Sequence, residues 1–118
     1  MEKVIQYNGA TVTVRRGTVR TRLLQSLLYS KLGISADTTD EEFLFISYYA
    51  RFLTQTTIKG KLGFDIPGAT DDPEQLRAGL EAFLDADVGL YDEVIAALNE
   101  VDAMLNDPEL SPETDPNG

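Results

Sequence analysis

Residues 41–53, EEFLFISYYARFL, constrain what this chain can fold into more than any other stretch. Wound as a helix, they put Phe43, Ile46, Ala50 and Leu53 on one face and Phe45, Tyr48, Tyr49 and Phe52 on a second, with Leu44 closing the gap. Only Glu41, Glu42, Ser47 and Arg51 are plainly polar. A helix that is apolar on nearly every side is either enclosed by its own fold or lends one side to a partner. The segment holds five of the ten aromatic residues, so the core has to be built around it. The stripe of Phe45, Tyr48, Tyr49 and Phe52 is the candidate binding surface. The plainer reading, a central helix packed on two sides by its neighbours, carries more weight.

Composition narrows the function more than the fold. A chain of 118 residues, 42% hydrophobic and 25% charged, suits one globular domain with a single core. Its longest apolar run, from Phe43 to Ile46, is far short of the ~18–20 residues that cross a bilayer, so no membrane association is expected. The opening MEKVIQYNGA has an acid at position 2 and no apolar core, so no signal peptide is expected either. There is no cysteine, hence no disulfide framework and no thiol nucleophile. There is no histidine, the commonest general base and transition-metal ligand.

Other chemical motifs are lacking. Gly60-Lys61-Leu62-Gly63 lacks the spacing of a phosphate-binding loop. Asp85-Ala86-Asp87 starts like a calcium loop, but Gly89, Leu90 and Ala96 stand where a third ligand, a glycine and a glutamate would be needed. The carboxylate pairs Asp92/Glu93 and Asp71/Asp72 read as solvated helix faces and caps. The expectation is a protein without catalytic residues, cofactor or metal.

Net charge is −10 and unevenly spread. Residues 1–33 carry +5, residues 34–72 carry −4, and residues 73–118 carry −11. So acidic a chain is a poor nucleic-acid binder, because phosphates meet net repulsion. The cluster Arg15, Arg16, Arg20 and Arg22 could grip phosphates. It reads better as a hairpin–helix junction whose arginines meet the acidic second half, within one chain or between copies, by self-association or partner charge contacts.

Along the chain, two β-rich runs flank Asn8-Gly9, a pair that tolerates the positive φ of a tight hairpin turn. Thr18 then caps a helix whose Val19, Leu23 and Leu27, together with Leu24, Leu28 and Leu32, form one broad apolar face ending at Gly33. Thr39 and Glu42 form a capping box for the aromatic helix, and Thr54, Thr56 and Thr57 permit one more turn. In residues 58–66 Ile58, Gly60, Leu62, Phe64 and Ile66 alternate, which suggests either a strand added to the hairpin or an arm that orders on binding. Asp72-Pro73-Glu74-Gln75 starts a third helix, residues 85–89 break it, and a fourth follows.

The expected fold is therefore mainly α (α+β). An N-terminal β-hairpin (residues 4–15) packs on about four helices, at about 18–32, 40–56, 73–85 and 90–106. Residues 1–106 form one globular domain, and residues 107–118, with three prolines and four acids, a disordered acidic tail.

This order of parts resembles a known family. VIQYNGATVTVR runs into TVRTRLLQSLL, followed by an aromatic helix, a Gly/Pro loop, DPEQL opening another helix, and the acidic end LNDPELSPETDP. The layout is similar to that of the tail assembly chaperones of long-tailed bacteriophages and prophages, over nearly the whole chain. The resemblance implies a small helical protein of the infected bacterium's cytoplasm that coats the tape measure protein, helps to recruit tail tube subunits, and is absent from the virion. It also implies that this chain is the short form of a pair produced by ribosomal frameshifting. The client surface would then be Phe45, Tyr48, Tyr49 and Phe52, with Leu62, Phe64 and Ile66. Two rivals remain open: a head–tail connector or tail-completion subunit, and an acidic inhibitor that binds a basic protein through Glu81, Asp85, Asp92, Glu93 and Glu100.

Overall fold

A computed structural model describes residues 2–103. Among them the chain forms β1 (Glu2–Tyr7), β2 (Ala10–Arg15), α1 (Val19–Lys31), α2 (Asp40–Gln55), β3 (Thr56–Lys59), α3 (Pro73–Leu84) and α4 (Val88–Ala103). The expected tail at 107–118, and residues 104–106 of the expected last helix, lie outside the described residues.

The hairpin turns where expected. Asn8 and Gly9 both take positive φ, 47° and 84°, as a type I′ turn requires. β1 pairs antiparallel with β2, with Ile5 opposite Val12, and β2 pairs antiparallel with β3, with Val12 opposite Ile58. The sheet order is β1-β2-β3. Its inner face presents Ile5, Ala10, Val12 and Val14, all buried, while Val4, Gln6 and Lys59 point outward.

β3 corrects one expectation and decides another. Thr56 and Thr57 do not add a helical turn. The helix ends at Gln55, Thr56 turns to extended backbone, and the chain joins the sheet at once. β-branched residues lose little on a pleated surface, and β2 offers an edge to pair with. A strand is therefore added to the hairpin, but at residues 56–59 rather than along 60–66. Gly60 (φ 102°) then turns the chain away, with its Cα side pressed close to Ala10.

Helix ends follow local chemistry. Thr18 and Thr39 each complete a reciprocal capping box, with Thr21 and with Glu42. Asp72 caps α3 with Pro73 in its first turn. α1 ends in a Schellman motif, in which the Ile34 amide donates to the Tyr29 carbonyl (3.0 Å), the Gly33 amide donates to Ser30 (3.1 Å), and Gly33 sits at φ 83°. α4 starts two residues earlier than expected, at Val88, and takes Gly89 into its first turn.

The core lies between the sheet and the helices. α4 crosses the inner face of β1 and β2, burying Leu90, Val94, Ala97, Leu98 and Val101. Its flanks are tied by Lys3 to Glu100 (2.9 Å) and by the Tyr7 hydroxyl donating to Asp87 (3.0 Å). α2 runs through the middle, where Tyr49 and Phe52 stack against Phe83 of α3 at centroid distances of 5.5 and 5.0 Å.

Candidate functional site

The aromatic stripe of α2 is mostly core. Tyr49 and Phe52 have no exposed surface, and Tyr48 is half-buried edge-on against Tyr91 of α4 (5.7 Å, 79°). Of the expected surface only Phe45 is exposed. Leu62, Phe64 and Ile66 are half-buried and pack on the core instead of forming a free side. The helix is divided along its length rather than around it. Phe43, Leu44 and Phe45 in its early turns are exposed, whereas Ile46, Tyr49, Ala50 and Phe52 further on are sealed. The reason lies far off in sequence, since α3 delivers Phe83 and the small Gly79 to the later turns. A Cβ at Gly79 would collide with the Tyr49 hydroxyl and with Pro67.

The exposed large apolar residues lie mainly on α1 and on the first turns of α2. Val19, Leu23 and Leu27 are 78%, 65% and 40% exposed. The expected single broad face does not form. In RLLQSLLYS each leucine doublet spans about 100° of helix, so one member turns in and the other out. Leu28 and Leu32 are buried and Leu24 half-buried on the inner stripe, while Val19, Leu23 and Leu27 make an outer stripe with the same four-residue spacing. A second exposed cluster, Phe43 and Leu44, borders α1 where the Phe43 ring meets Tyr29 (5.8 Å). Exposed apolar residues grouped in this way, rather than scattered singly, make this the candidate interaction surface of the described chain.

Val19 and Leu23 form a ridge with a groove on each side. The larger, of 680 Å³, is walled by Thr18, Arg22, Gln55 and Asp102, and the smaller, of 450 Å³, by Arg20 and Leu24. On an ideal helix Arg20 and Arg22 fall on opposite edges of the stripe. Arg16, Arg20 and Arg22 are exposed and make no ion pair among the described residues. Arg15 stands apart on the outer face of the sheet, bonded to Glu2 (3.1 Å) and to the Thr57 hydroxyl. Within the described chain, then, the four arginines do not meet the acidic second half as expected. Arg51 does, through Asp102 (2.8 Å).

Asp102 anchors one wall of the larger groove. Its carboxylate accepts from the Gly17 amide (2.9 Å), from Arg51 and from Gln55, whose Nε2 also donates to the Arg15 carbonyl (2.9 Å). Partial burial alone would raise its pKa. The Gly17, Gln55 and Arg51 donors outweigh that effect and hold it below the ordinary carboxylate value. This network joins the end of α4 to the start of α1.

The remaining polar candidates are structural. Asp72 accepts from Gln75 as a helix cap and Asp71 accepts from Gly68, both at 2.9 Å. Asp87 receives the Tyr7 hydroxyl. The Tyr49 hydroxyl is buried without a hydrogen-bond partner, and burial, helped by Asp71, pushes its pKa well above the ordinary phenol value, so it stays protonated. A shallow 420 Å³ cavity between residues 65–71 and α3 is lined by Ile66, Pro67, Asp71 and Gly79, with no convergent set of donors. Among the described residues no cluster of acids could hold a metal, and no helix is long and apolar enough to cross a membrane.

Comparison with protein-family models, with curated proteins and with solved structures finds no match to this chain.

Proposed function

We propose that this chain is a non-enzymatic chaperone of bacteriophage tail assembly, which binds the tape measure protein in the cytoplasm of the infected bacterium and helps to recruit tail tube protein. The exposed Val19–Leu23–Leu27 stripe of α1 carries the reading, together with the layout resemblance described above. A long amphipathic client helix presents apolar residues at the same three- and four-residue intervals, so it can lie against such a stripe. Each client leucine taken out of water contributes about 1.5–3 kcal/mol, enough for many weak copies to coat a long client by mass action. A net charge of −10 keeps the coated client from associating with itself. The docking residues are then Val19, Leu23 and Leu27, with Phe43, Leu44 and Phe45, in place of the buried Tyr49 and Phe52.

Co-expression with the tape measure protein encoded beside it tests the proposal, read as the client's soluble fraction and the copies bound per client. Many copies on a client that is insoluble alone is the expected result. Leu23→Gln with Leu27→Gln should return the client to the pellet, whereas neutralising Glu81, Asp85, Asp92, Glu93 and Glu100 should change little. No binding, with this protein forming a discrete ring or appearing in virions, overturns the proposal in favour of the connector.

A further inference from the structure

We propose that the acidic segment 104–118 of this chain docks on the outer face of α1 and competes there with the client; this inference rests on the reading of that face as a docking surface. Three observations meet at one place. The described chain ends at Ala103, next to Asp102, whose side chain walls the larger groove and accepts the Gly17 amide at the start of α1. The segment MLNDPELSPETDPNG is therefore joined to the chain two residues after a side chain that lines that groove. Its reach is ample, since fifteen residues extend to about 50 Å and the thirteen-residue α1 is about 20 Å long.

The chemistry is complementary. The segment holds Asp107, Glu109, Glu113 and Asp115 and no basic residue, with Met104, Leu105 and Leu110 as apolar anchors. The face offers Val19, Leu23 and Leu27 between Arg20 and Arg22, with Arg16 close by in sequence, and these three arginines have no ion-pair partner among the described residues. A tether of a few residues supplies a high effective concentration, so even a weak contact is populated until a longer client displaces it.

The absence of cysteine gives a direct test, because Ser111→Cys takes a single spin label on the otherwise intact chain. The amides of residues 19–27 should lose more than half their signal intensity. Arg20→Glu with Arg22→Glu should restore it while leaving the rest of the amide spectrum in place. Broadening that avoids α1, or that survives the double charge reversal, overturns the proposal. So does broadening seen only between separately labelled copies, which would identify a second chain as the occupant. The measurement needs no client, so its failure leaves the client proposal standing, whereas failure of client binding removes the competition and leaves only the tail contact.

Discussion

α1 and α4 carry similar numbers of large apolar residues, six and seven, and bury them differently. α4 carries one stripe, Leu90–Val94–Leu98–Val101 with Ala97, and buries all of it against the sheet. Its other face shows Asp92, Glu93, Asn99 and Glu100 to solvent. α1 carries two stripes, and its chief neighbour, α2, covers only one of them. The comparison teaches that apolar content sets how much surface a helix can bury, while the number of neighbours sets how much it does. What α1 has left over is the exposed Val19–Leu23–Leu27 stripe, which has no role in the core and is the surface proposed above for docking.

The sharpest way to break this comparison is to make the same change on both helices. Leu98→Ala in α4 should cost about 2–5 kcal/mol, as for other buried leucines. Leu23→Ala in α1 should stay within about 0.5 kcal/mol, as for a surface site. Urea unfolding reads both. An equal loss at Leu23 would place the outer stripe in the core and overturn the proposed docking face.

A second test sharpens why α2 is sealed at one end. Gly79→Ala should cost about 1–3 kcal/mol, because its Cβ meets the Tyr49 hydroxyl and Pro67, whose ring carbons lie 2.7 Å away. Tyr49→Phe removes a hydroxyl that has no partner, so alone it should be neutral or stabilising, and in the double variant it should recover part of the loss. Strict additivity of the two changes would show that Tyr49 and Gly79 do not share the contact.

The smallest effect concerns the joint between the two helices. Asp102→Asn should cost about 1 kcal/mol at neutral pH, since the amide keeps the Gly17 contact and loses the charge-assisted bond to Arg51. The native Asp102 carboxyl titrates below its unfolded counterpart, so its contribution is complete above the unfolded value of about 3.9 and is lost as pH falls through the native one. The gap between the stability curves of the two proteins should be fully open above about pH 4 and close as pH falls below it. A gap that persists unchanged in acid would mean that the carboxylate charge is not what links α1 to α4.

Much of this fold can be read from neighbouring residues. Asn8-Gly9 specifies its hairpin turn, Thr39 with Glu42 and Asp72 with Pro73 specify helix starts, and Gly33 specifies an end, because each acts within four residues of itself. The candidate site was less legible. The two α1 stripes are equivalent in spacing and in residue type, so no local rule says which one faces inward. Thr56 and Thr57 permit helix or strand, and β2, more than forty residues earlier, settled the choice by offering its edge. Tyr49 and Phe52 read as core or as surface, with core the weightier reading, and Phe83 and Gly79 of α3 are what enclose them. The sequence by itself determined where the elements begin and end, since caps and turns are short-range chemistry. The tertiary structure alone decided which apolar face was left without a partner, since burial depends on which distant elements arrive and how many there are.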